Sequence, residues 1–219
     1  MEFPQHGGRR HGAGRKRTGR PRVAHRVRPR ITRRDPVHVT LRVLDEVGRL
    51  RRRWAYQAIR AALLRVHQRA DFRVVHISIQ GNHVHLICEA DNRTALSRGV
   101  SALKISAARK LNRARGRTGP VFSDRYHAEI ITCPRQARNA LSYVLNNYRR
   151  HGEDRATTWK LDPYSSAISY RGWREAPNGF AIPVGHVPLP VHPPRSWLLL
   201  HWRDHHPPIS CFEVPGPSL

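Results

Sequence analysis

The chain has 219 residues, with 40 Lys+Arg against 15 Asp+Glu for a formal net charge of +25, and 39% hydrophobic residues. That size predicts one ordinary domain with tails, and that charge predicts a polyanionic partner, nucleic acid first. No apolar stretch approaches the ~20 residues of a membrane span, Met1 to His6 lack the apolar segment of a secretory signal, and Cys88, Cys133 and Cys211 are too widely spaced for a disulfide framework or a CxxC zinc site.

Residues 1–35 read as a disordered basic arm, since Gly7 to Arg22 offers almost nothing to bury against its ordering cost. All but four of the cations in the chain are arginine, whose planar fork suits bidentate phosphate contacts, although a GC-rich genome would leave the same excess. Arg15, Lys16, Arg17, Arg20 and Arg22 are the arm's candidate DNA contacts. Gly19-Arg20-Pro21-Arg22 partly resembles the minor-groove centre of an AT-hook, and a merely solvated cationic tail is the plainer reading.

Residues 36–152 read as a folded unit. Val37 to Val43 alternates and is β-branched, which predicts a strand. Val47, Leu50, Trp54, Ala58, Ala62 and Val66 recur at helical spacing. Phe72 to Ile79 and His83 to Glu89 are strands joined by the turn residues Gln80-Gly81-Asn82. Asp91 or Asn92 caps a second helix carrying Leu96, Val100, Leu103, Ala107 and Leu111. Tyr126 to Thr132 is a fourth strand, and Pro134 opens a third helix that runs to about Arg150 and ends at Gly152. The order is the split β-α-β-β-α-β pattern plus one helix. It predicts an α+β, ferredoxin-like or RRM-like domain: an antiparallel sheet with helices on one face and the other face open to a substrate. Residues 153–219 form a proline-rich extension. Asp162 to Trp173 is expected to pack back on the core, and the chain beyond it to be irregular or disordered.

Chemistry concentrates in two places. On a strand, positions i and i+2 share a face, so His83 and His85 project side by side while Val84, Leu86 and Cys88 point to the core. Two neutral imidazoles make half a divalent-metal site; two polar residues on a solvated sheet face would look the same. On the third helix, Ala137, Leu141, Val144, Leu145 and Tyr148 form an apolar face predicted to pack on the sheet. Tyr143 and Asn147 lie opposite, one turn apart, with Gln136, Asn139 and Arg150. Tyr143 is therefore the candidate for chemistry and Tyr148 the one for packing, although an ordinary exposed tyrosine fits the helix pattern of Tyr143 equally well. A tyrosine oxygen that attacks a phosphodiester forms a phosphotyrosine and conserves the bond energy for rejoining. Mg²⁺ or Mn²⁺ on His83, His85 and the Asn147 amide would polarise that phosphate.

Asn82-His83-Val84-His85-Leu86, followed by Tyr143-Val144-Leu145-Asn146-Asn147 on a helix, resembles the single-tyrosine HUH transposases, the REP-associated tyrosine transposase branch above all. Val37 to Thr40 and Val121 to His127 are similar to that family's first strand and the segment before its third helix. The resemblance covers about residues 36–152. It implies an HUH nuclease fold that cleaves single-stranded DNA, often beside a hairpin, to a 5′-phosphotyrosine and a free 3′-OH. It implies Tyr143 as nucleophile, His83 and His85 as metal ligands and Asn147 as the third, polar ligand. Asn147-Tyr148-Arg149-Arg150-His151-Gly152 departs from the family's Asn-Pro-Val-Arg-Ala-Gly, and Gln80-Gly81 stands where Met-Pro is usual. The expected setting is the bacterial cytoplasm, nucleoid-associated, with single-stranded or hairpin DNA as partner, Arg150 among its contacts and no membrane. Monomer and homodimer both stay open. The alternative is a catalytically inert single-stranded nucleic-acid-binding module of the same fold. The strands lack the aromatic pattern of an RNA-reading sheet. A water-using metallohydrolase would need more carboxylates than Glu89, the only one alternation puts on the histidine face.

Overall fold

The structure is a computed structural model that describes residues 30–123, 125–156 and 158–216. Four strands, β1 (Val37–Arg42), β2 (Phe72–Ile79), β3 (His83–Ala90) and β4 (His127–Ile130), form one antiparallel sheet in the order β2-β3-β1-β4. Helices α1 (Arg53–His67) and α2 (Arg93–Ala114) cross between them, which gives the α+β, ferredoxin-like connection. Val37, Val39, Leu41, Ile77, Val84 and Leu86 bury one sheet face against Ile59, Leu63, Val66, Leu96, Val100 and Leu103 of the two helices. Each such side chain contributes about 1.5–3 kcal/mol by leaving water. A Cβ on Gly99 would enter the ring of Phe72, so α2 approaches β2 more closely than any other residue would permit.

The first helix begins later than its periodicity predicts. Val47 and Leu50 are fully buried, but they sit in a short 3-10 turn and the loop after it. Gly48, at φ 79°, breaks the run, and α1 starts at Arg53. Asn92 rather than Asp91 caps α2, accepting the amide of Ala95; Asp91 is held by Arg33. That contact belongs to the end of the basic arm. Ile31 is buried in the main core and Thr32 bridges to Asn92, so the folded unit begins before residue 35.

The second sheet face is covered, which corrects the expectation of an open one. Helix α3 (Pro134–Arg150) lies over β2 and β3. A bulge between Val74 and His76 turns both Val75 and His76 towards it. Val75 and Ile87 meet Ala137, Ala140, Leu141, Val144 and Leu145 in a second core, completed by Leu161, Trp173, Trp202 and Ile209 from the extension. Among the described residues beyond Trp173 the regular structure is the single-turn α4 (Trp197–His201) and a short 3-10 turn, yet the chain packs instead of wandering.

Carboxylates hold the extension in place. Arg51 donates to Asp162 at 2.8 and 3.1 Å and to the Ile79 carbonyl at 3.0 Å. Glu89, expected on the histidine face, lies there but is buried as a tether: it accepts from Arg73 and from the amides of Arg195 and Ser196 just ahead of α4. Glu213 takes both Arg138 and Ser142, while Asn146 and Arg149 donate to the carbonyls of Ser210 and Cys211. The flank of α3 away from the sheet is therefore sealed by residues 207–215.

Candidate active site

β3 places His83 and His85 on the α3 side of the sheet, with ring centroids 4.6 Å apart. β1 runs beside it in a register that pairs Thr40 with His85 and Arg42 with His83. His38 and Thr40 therefore project from the same face as the two histidines. His38 Nε2 and Thr40 Oγ1 each lie 3.2 Å from His85 Nδ1. With Nδ1 so engaged, Nε2 is the ring nitrogen of His85 left to act, and it is buried with no hydrogen-bond partner among the described residues. His83 Nδ1 lies 2.8 Å from Asn82 Oδ1, which likewise leaves its Nε2.

Tyr143 comes down on this pair from α3. Its ring stands edge-on to His85 at 5.0 Å and to His38 at 5.7 Å. Asn147, one turn on, is fully buried, and neither its amide oxygen nor its amide nitrogen has a partner among the described residues. His151, a further turn on, approaches His83 at 5.9 Å. The polar stripe of α3 thus faces the sheet histidines, not solvent as the helix pattern alone suggests. The sheet covers one flank of α3 and the extension another, so its exposed polar residues are reduced to Arg135, Asn139 and Arg150 among the described residues. Tyr148 is buried at the helix end and donates its hydroxyl to the Lys160 carbonyl.

The electrostatics keep the imidazoles neutral. Burial, then the nearby His127, pushes His38 down to about 4. Burial, then His151 and Arg42, does the same to His83. His85 is held well below the usual histidine range by burial and by the three histidines around it. Neutral rings present lone pairs, and a buried amide without a partner costs free energy unless something fills the place. Among the described residues no three His, Cys, Asp or Glu side chains cluster as metal ligands. The donor set here is two imidazoles and an amide, which fits a divalent cation that keeps open positions for a phosphate.

Of the sequence candidates, the structure brings together His83, His85 and Tyr143, and Asn147 stands on α3 between Tyr143 and His151, which meet the two histidines. Arg150 is tied to the extension through the Pro215 carbonyl, and Arg15, Lys16, Arg17, Arg20 and Arg22 lie outside the described residues. Sequence reasoning missed His38, Thr40 and His151 as parts of the site. The signals were present: His38 and Thr40 alternate on one strand just as His83 and His85 do, and His151 continues the i, i+4 stripe from Tyr143 and Asn147. Among the described residues no helix is long and apolar enough to cross a membrane.

The fold agrees with what the chain is similar to. A solved REP-associated tyrosine transposase bound to a REP hairpin superposes with a TM-score of 0.53 at 18% identity, over 66% of this chain and 82% of that one. A Deinococcus radiodurans R1 protein solved as a candidate transposase aligns at 14% identity and a TM-score of 0.38, over 61% of this chain and 96% of that one. No curated protein sequence matches. The family model for IS200-like transposases matches residues 36–147, from the start of β1 to the buried Asn147. The chain belongs to that family, the single-tyrosine HUH transposases.

Proposed function

We propose that the protein is a metal-dependent single-stranded DNA endonuclease and strand transferase, with Tyr143 as its nucleophile. The observation that carries this reading is the meeting of Tyr143 with His85, beside a ring nitrogen and a buried amide that have no partner among the described residues. The Tyr143 oxygen attacks a backbone phosphorus, the P–O3′ bond breaks, and the chain holds a 5′-phosphotyrosine while the 3′ oxygen leaves as a hydroxyl. The phenolic proton departs as the new bond forms, and the 3′ oxygen takes one up. Attack by the 3′-OH of another strand reverses the step and joins the two.

The protein's own groups set this up. His38 and Thr40 fix the ring of His85 so that Nε2 faces the site. His83, His85 and the Asn147 amide would hold Mg²⁺ or Mn²⁺, which when bound supplies charge to the developing phosphorane. The sheet beneath and the extension behind α3 fix the position of the tyrosine, the term most sensitive to small displacement. The solved relative bound to a REP hairpin favours hairpin DNA as the substrate form.

The test is a denaturing-gel assay with labelled single-stranded hairpin DNA from the flanks of the gene and Mn²⁺ or Mg²⁺, with EDTA and Tyr143→Phe controls. A metal-dependent slow band, absent from the variant, is expected. A band that survives Tyr143→Phe removes Tyr143 as nucleophile. DNA retention on a native gel with no covalent band supports the inert binding module instead.

A further inference from the structure

A cavity of about 720 Å³ opens at the β2 edge of the sheet, lined from α1, α3 and the extension, apart from His83 and His85. Its floor includes His76 and the buried Trp202, and its walls are largely proline and leucine, Leu200 among them. Arg60, Arg171 and Arg203 line it, and among the described residues no carboxylate does. Arg203 is held in place: it donates to the Tyr170 hydroxyl at 3.0 Å and the Arg171 carbonyl at 2.8 Å, in room left by Gly172 at φ 120°. Arg60 is fixed through its Nε on the Pro188 carbonyl at 3.0 Å. Most of this lining comes from residues 169–203, beyond the family match.

We propose that this cavity takes one nucleotide of the single-stranded DNA, its base against the apolar wall and its phosphate on the arginine rim. This rests on the nuclease reading for the identity of the strand. The volume lies in the range of small-ligand sites, on the order of 300–1,000 Å³. Apolar walls beneath a rim of guanidiniums match a base that carries a phosphate. A base can enter such a cavity only when it is out of a duplex stack, which selects single strands. The cavity also lies close to the chemistry. Ser78 pairs with His85, so His76 sits two residues along the adjacent strand, a separation on the order of 8 Å. Leu141 of the lining stands two residues before Tyr143 on α3. A strand whose phosphate reaches Tyr143 brings a neighbouring nucleotide within reach of the cavity.

The experiment is fluorescence anisotropy of the full chain with a fluorescein-labelled dT twelve-mer and an abasic twelve-mer, at fixed salt. Arg171→Glu is expected to weaken dT binding about tenfold, and Ser169→Trp, which fills the cavity without changing charge, about fivefold. Leu200→Trp repeats the filling test at a second exposed position. Ser169→Trp should leave the abasic twelve-mer unchanged. Arg98→Glu makes the same charge reversal on α2, across the sheet, and should cost no more than about twofold. Unchanged dT affinity in both filled variants, or equal losses from Arg98→Glu and Arg171→Glu, overturns the proposal. Weakened binding in the cavity variants without any covalent adduct in the wild type sustains the cavity and overturns the cleavage; adducts with normal binding in those variants do the reverse.

Discussion

Replacing Asp162 by Ala tests whether the extension is part of the enzyme's frame. The Arg51 side chain is 5% exposed and that of Asp162 1%. Their two hydrogen bonds join the extension to the end of the β2–β3 hairpin that carries His83. Burial pushes the Asp162 carboxyl up in spite of its arginine, so desolvation offsets much of the attraction. The intact pair then adds little net stability, but breaking it strands a buried guanidinium, which costs about 3–5 kcal/mol. Glu153, 3.5 Å from Arg51 Nε, softens the loss, so Asp162→Ala should fall near 3 kcal/mol, about the low end of that range. The double variant Arg51→Met/Asp162→Leu should return to within about 1–2 kcal/mol of wild type, because neither charge remains to be solvated. Urea unfolding of the wild type and the two variants measures this. A loss below about 1 kcal/mol for Asp162→Ala, or a double variant as weak as the single, would refute the reasoning.

Three other outcomes follow from the same geometry. Asn147→Ala should change the urea midpoint little, because its buried amide gives up no hydrogen bond, while covalent adduct formation falls at least tenfold on the gel; a loss of more than about 2 kcal/mol would mean that the amide is structural. Burial holds His76 down to about 4, below its ordinary 6.5, so unfolding takes up a proton between these values. Its contribution is complete above pH 6.5 and is lost as pH falls towards 4, by about 3 kcal/mol in all. His76→Gln should therefore lose about 2–3 kcal/mol less than wild type between pH 7.5 and 4.5 in urea melts, and equal losses would contradict this. Removing residues 1–29 takes away nine cations, so DNA affinity should drop and its logarithmic salt slope flatten. An unchanged slope in anisotropy titrations would mean that the arm does not touch phosphate.

Much of the fold is legible in the sequence because its signals are local. Alternation in Val37–Arg42 and His83–Ala90, the Asn92 cap and Pro134 at the head of α3 need only neighbouring residues. The pairing of His83 with His85 and the spacing of Tyr143 and Asn147 are local too. What was hidden depends on register and on distant chain. Nothing in β1 alone says that Thr40 will face His85; that requires the β1–β3 pairing. A polar helix stripe is ordinarily a wet one, and α3 breaks this rule because residues 207–215 cover its other flank. The extension is illegible because it packs without periodicity. Three acids, Glu89, Asp162 and Glu213, fix it through specific partners where a hydrophobic repeat would have announced it.

The sealing of α3 also bears on how the protein is made. Glu89 closes on Ser196 across 107 residues, and Glu213 on Arg138 across 75. Contacts of such separation form late and slow folding. On the ribosome, the sheet and its first two helices can settle while the helix bearing Tyr143 still lacks one of its walls. That wall follows the helix by some sixty residues of translation. The segment that carries Tyr143 is thus made well before the chain that completes its frame.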